Sequence, residues 1–183
     1  MPVLRSIAAV TALASLACAN VAAAQNANCL SEREVVSLVT YVLPVVMDSA
    51  IKTCRAQLSP QGYFAMEGPA LVQRYAARKG TAWPEAKAAL LKIGGKDDKM
   101  KDMVASLSDE ALQPFAEGMV AQLIAKGIKP GQCTAIERAT RLLSPLPPEN
   151  TAELLTFVIV LAEKPKAGAT GTPRKSDLPI CPS

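Results

Sequence analysis

The stretch "SEREVVSLVTYVLPVVMDSAIKTC", residues 31–54, constrains the fold more than any other part of the chain. It opens on Ser31 with Glu34 three residues on, a pairing in which serine and glutamate satisfy each other's free N–H groups at a helix start. Val35, Leu38, Val39, Val42, Val45 and Val46 then recur at helical spacing. Val36, Tyr41, Leu43 and Met47 widen that stripe around most of the circumference. A helix apolar on most sides is a buried one, so the rest of the chain must wrap around it. Pro44 removes a backbone donor and is expected to kink the helix near its middle.

The remaining segments supply the wrapping. A turn at Ser59-Pro60 leads into a helix from about Pro69 to Lys79, with Pro69 at its first position and Gly80 as its stop. Pro84 is expected to open a short helix that Gly94-Gly95 ends. Residues 96–107 read as a charged helix with Met100, Met103, Val104 and Leu107 turned inward. Ser108, followed by Asp109 and Glu110, starts a helix that Pro114 bends or restarts and Gly127 ends. A further helix spans about Gln132 to Leu143, before the prolines at 145–148. The last, "NTAELLTFVIVLAEK", is expected to start at Asn150 as N-cap. It is apolar from Leu154 to Leu161, so it too reads as central. The expected fold is all-α: one domain, a bundle of about six to seven helices over residues 25–163.

Both ends read differently. Residues 1–24 combine Arg5, an apolar run from Ile7 to Ala17 and small residues at Ala22-Ala23-Ala24, the layout of a secretory signal peptide cleaved before Gln25. Lipidation at Cys18 is the lesser alternative. The run is shorter than the roughly 18 apolar residues a span needs, and the mature chain is expected to carry no transmembrane segment. Residues 164–183 are rich in Lys, Gly, Pro, Thr and Ser and read as an irregular tail.

Cleavage leaves four of the five cysteines, Cys29, Cys54, Cys133 and Cys181, and an even number in an exported chain predicts two disulfides. One pairing meets a distance problem. Cys29 and Cys54 bracket the first helix and lie about 35 Å apart along it, whereas a disulfide needs α-carbons within about 7 Å. Cys54–Cys133 with Cys29–Cys181 is therefore expected. The second would tie the tail back to the start of the mature chain, in keeping with the usual nearness of termini.

The chain contains no histidine. That excludes histidine-based nucleophilic and general-base catalysis and every histidine metal site. No catalytic, cofactor-binding or metal-ligating set emerges from what is left. Glu67, Glu85, Glu110 and Glu117 form no recognisable carboxylate pair. Asp97, Asp98 and Asp102 lack the glycine-bearing loop of calcium sites. "GGK" at 94–96 lacks the flanks of a phosphate loop. The net charge of +4 is spread along the chain, and the tail cations Lys164, Lys166, Arg174 and Lys175 are too scattered for nucleic acid or an acidic membrane.

One cluster invites a ligand. Tyr63, Phe64, Tyr75 and Trp83, more than half of the chain's aromatics, are interleaved with Glu67, Arg74 and Arg78. Such residues can build a platform for a sugar, a peptide or an anion. The sequence thus predicts an exported, non-catalytic helical protein of the periplasm or extracellular space, an interaction or accessory module with a protein or small-molecule partner and no cofactor. The first alternative is a carrier of a small apolar ligand or lipid, with Met47, Met66, Met100, Met103 and Met119 as adaptable lining. A carboxylate hydrolase is the second.

Overall fold

A computed structural model describes residues 29–94, 98–163 and 178–181. The expected signal peptide, Met100 and most of the tail lie outside the described residues or side chains. The architecture is all-α, with helices α1 (Glu32–Cys54), α2 (Tyr63–Met66), α3 (Gly68–Ala76), α4 (Lys79–Gly94), α5 (Asp98–Ser106), α6 (Asp109–Gly127), α7 (Cys133–Leu143) and α8 (Pro148–Glu163).

Helix α1 is the axis. Ser31 Oγ accepts the Glu34 N–H at 3.3 Å, and the Glu34 carboxylate accepts the Ser31 N–H at 2.8 Å, so its start is capped as the sequence predicts. The helix continues through Pro44, which is itself buried. By length and composition α1 could cross a bilayer. In this fold α3, α4, α6 and α8 pack around it, and Val35, Val39, Tyr41, Leu43 and Met47 are buried.

Four apolar clusters follow α1 along its length. Near the middle of the chain Tyr41 meets Ala82, Trp83, Ala86, Val104 and Leu112. Leu30, Val35 and Val39 meet Ala89 and Ala152. Leu43 and Met47 meet Leu71 and Tyr75. Phe64 covers the Cys54–Cys133 pair. α3 approaches α1 at Gly68, where a Cβ would lie 2.8 Å from Ile51 Cδ1 and would push the end of that side chain aside.

Several boundaries differ from expectation. α4 begins at Lys79 and runs through Gly80 and Pro84, neither of which stops or starts it. Trp83 and Ala86 in the core hold it together, so tertiary burial outweighs the local cost of glycine and proline. α6 likewise runs unbroken through Pro114, and Ser108 occupies its N-cap position without a side-chain bond to the backbone. α8 begins at Pro148, so Asn150 lies inside its first turn rather than capping it. Met103, expected inside, is 41 % exposed.

Two disulfides reinforce the bundle. Cys54 and Cys133 have α-carbons 5.4 Å apart and join the end of α1 to the start of α7. Cys29 and Cys181 have α-carbons 5.0 Å apart. The second is seated on a single parallel bridge between Leu30 and Ile180. There Leu30 donates to the Pro179 carbonyl, and the Cys181 N–H donates to the Leu30 carbonyl at 2.9 Å. Leu178 and Ile180 pack beside Val36 and Ile159, so this piece of tail joins the core as well as the disulfide. Lys92 locks the same corner, donating to the Cys29 carbonyl at 3.1 Å and to the Glu34 carboxylate at 2.8 Å.

Candidate functional site

The aromatic residues do not form one platform. Phe64 lies in the cluster around Cys54–Cys133. Tyr75 is buried and its hydroxyl shares a 2.8 Å hydrogen bond with Thr151 Oγ1. Trp83 stacks at a tilt on Tyr41, ring centroids 4.8 Å apart. These three act as anchors of α2, α3 and α4. Arg78 leaves the group to pair with Glu149 at 2.6 Å.

Tyr63, Glu67 and Arg74 do come together, in an open crevice of about 390 Å³ completed by Ala70, Leu71, Ser144 and Pro145. Arg74 is already engaged there, donating to the Ser144 carbonyl at 2.5 Å with its guanidinium 5.8 Å from the Tyr75 ring. The crevice wall is maintained by a cap supplied from a distance. Glu137 on α7 accepts the Phe64 N–H at 2.9 Å, at the start of α2. A Cβ at Gly62 would lie 2.7 Å from that carboxylate oxygen, so glycine leaves it room.

Two of the candidate carboxylates, Glu85 and Glu117, are tied up in structure. Glu85 accepts from Ser37 at 2.7 Å. Glu117 accepts from Tyr41 Oη at 2.7 Å and from Lys79 at 2.5 Å, with the Lys79 ammonium 5.1 Å from the Tyr41 ring centroid. Burial, reinforced by the Glu117 carboxylate, pushes the Tyr41 hydroxyl well above its ordinary value. Tyr41 therefore stays protonated and serves as a donor that ties α1 to α6. The Lys87 ammonium holds the Asp109 carboxyl below its ordinary value. No cluster of three metal-ligating side chains occurs among the described residues.

The feature left without a structural use is on α8. Its inner face, against α1, is small and hydroxylated: Thr151, Ala152 and Thr156 are fully buried, with Leu155 and Ile159 half-buried beside them. Its outer face carries Leu154, Phe157, Val158 and Leu161, exposed by 43, 56, 53 and 51 %. These four lie at i, i+3, i+4 and i+7, one continuous helical stripe. Together they offer water roughly 400 Å² of apolar surface, the size of patch that on a monomer is often functional. Small side chains at a helix contact let the axes approach closely. The large ones then point outward.

Beside the stripe runs an open groove of about 680 Å³ between α8 and the first turns of α1. Glu32, Arg33, Val36, Asn150, Glu153, Leu154 and Phe157 line it. A lesser stripe, Phe115, Met119 and Leu123, is exposed on α6. The α8 surface is missing from the sequence-based candidates because the segment Leu154–Leu161 has only one polar residue, Thr156, and that residue faces inward. The one available signal was the cluster of small residues at 151, 152 and 156, which marks a close helix contact. Comparison with protein-family models, curated proteins and solved structures finds no match for this chain.

Proposed function

We propose that this chain is an exported, non-catalytic interaction module whose recognition surface is the outer face of α8. The observation that carries this reading is the inversion of that helix, which buries Thr151, Ala152 and Thr156 while presenting Leu154, Phe157, Val158 and Leu161 to water. Burying such a stripe against a partner recovers the hydrophobic free energy that the fold leaves unused, about 25 cal/mol per Å². The carrier reading depends on an enclosed apolar cavity, and the two grooves described above are open. Export is supported by the leader-like residues 1–24 and by two disulfides, which persist in oxidising compartments.

The test is a photo-crosslinking residue, p-benzoyl-phenylalanine, placed at Val158 and, as a control, at exposed Glu110. Expressed in its host, the Val158 variant is expected to give a discrete adduct that the Glu110 variant does not. The absence of an adduct at Val158, or equal adducts at both positions, overturns the assignment of α8. N-terminal sequencing of protein from the non-cytoplasmic fraction is expected to begin at Gln25.

A further inference from the structure

We infer that the occupant of the α8 face is a cationic amphipathic helix of another protein, an inference that rests on the reading of α8 as the recognition surface. Its warrant is the charge around the stripe. α8 carries Glu149, Glu153 and Glu163 and no cation. Glu149 is already paired with Arg78 at 2.6 Å. Glu32 and Glu153 line the groove, and Arg33, the one cation among its described lining residues, is turned toward Glu85 at 4.0 Å. An apolar floor of Val36, Leu154 and Phe157 is thus edged by acid that has no ion-pair partner among the described residues.

The geometry suits a helix. The exposed stripe spans two turns, about 10 Å along the α8 axis. An amphipathic partner lays apolar residues of the same i, i+3, i+4, i+7 spacing along it. Lysines or arginines on the partner's flank then reach Glu32 and Glu153, which steers encounter and rejects acidic competitors. The same charges disfavour two other occupants. A second copy presenting α8 brings a glutamate-bearing helix against its own kind, and an anionic bilayer repels the rim.

The probe is a fluorescein-labelled peptide of about 14 residues, with leucine at helical spacing and lysine elsewhere, beside a counterpart with glutamate in place of lysine. Binding to the full mature chain is followed by fluorescence anisotropy, so that Lys164, Lys166 and the rest of the tail act as they do natively. The lysine peptide is expected to bind at least tenfold more tightly than the glutamate peptide, an advantage that shrinks as salt rises. The Glu32→Lys/Glu153→Lys variant is expected to reverse the preference. Phe157→Ser/Leu161→Ser is expected to weaken the lysine peptide by roughly tenfold or more. All four positions are exposed, and unchanged thermal melts confirm the folds.

Equal affinity for the two peptides overturns the cationic assignment and leaves the α8 reading standing if Val158 still crosslinks. Peptide binding indifferent to Phe157→Ser/Leu161→Ser overturns the location. A Val158 adduct with a second copy, matched by a dimer in sedimentation velocity, gives the face to self-association and overturns the inference. Cosedimentation with phosphatidylglycerol vesicles gives it to a membrane and does the same. Failure of both the peptide and the crosslink overturns the inference and the reading beneath it together.

Discussion

Helices α1 and α8 both carry long apolar runs, and the fold treats them in opposite ways. α1 sends Val35, Val39, Tyr41, Leu43 and Met47 into clusters shared with α3, α4, α6 and α8. α8 packs chiefly on α1, with Thr151 also bonded to Tyr75 of α3, and holds Leu154, Phe157, Val158 and Leu161 in water. Their residues are similar in kind, so composition does not separate them. What separates them is the number of neighbours: a helix with one main partner can bury one face, whichever side chains it carries. Where the larger side chains are left outside, the surplus apolar surface is available to something else.

That contrast can be broken by mutation, and the largest effect belongs to α1. Leu43→Ala is expected to cost about 3 kcal/mol in urea unfolding, because Leu43 is buried against Leu71 and Tyr75 and its removal leaves a cavity. A cost below about 1 kcal/mol would mean that α1 is not the axis described here. The inner face of α8 comes next. Thr156 is fully buried, and its hydroxyl has no hydrogen-bond partner among the described residues. Thr156→Val keeps the shape and removes the unpaired hydroxyl, so stability is expected to rise by about 1 kcal/mol. Destabilisation instead would show that the hydroxyl has found a partner, such as a buried water.

A smaller effect comes from the cap of α1. Burial raises the Glu34 carboxyl, but hydrogen bonds from Lys92 and from the Ser31 amide and hydroxyl outweigh it and hold it below its ordinary value of 4.5. The stabilisation is thus complete above about pH 4.5 and is lost as pH falls through the lower folded value. Glu34→Gln is expected to flatten that part of an acid titration of the melting temperature. An unchanged acid limb would remove Glu34 from the account. The smallest change is reserved for the outer face of α8. Phe157→Ala is expected to leave unfolding within about 0.5 kcal/mol of the parent, whereas it weakens partner binding. A stability loss comparable to that of Leu43→Ala would place Phe157 in the core and sink the contrast.

Much of the fold was legible because its signals are local. The Ser31–Glu34 cap needs two residues three apart, and the all-α class needs only helical periodicity over windows of a few turns. The pairing of cysteines was readable in part: the rise of one uninterrupted helix sets Cys29 too far from Cys54, and the usual nearness of termini favoured Cys29–Cys181 between the two pairings left. The short bridge between Leu30 and Ile180 was not legible, because the tail reads as irregular by composition and the pairing is with residues far away in sequence. The aromatic group failed as a platform for a non-local reason. Phe64, Tyr75 and Trp83 are neighbours in sequence, but they sit on three helices that meet different stretches of α1.

By itself, then, the sequence determined that the chain is helical, that its first helix is the axis, and that Cys29 and Cys54 cannot meet. Each of these follows from spacing along the backbone, which is the same before and after folding. Only the tertiary structure decided where Gly80, Pro84 and Pro114 would be tolerated, which carboxylates would be tied up in ion pairs, and which face of α8 would remain outside. A helix that is apolar all around carries no polar side to mark its exposure. Which side lies inward is a tertiary outcome: the side with Thr151, Ala152 and Thr156 is buried and the side with Leu154, Phe157, Val158 and Leu161 is not.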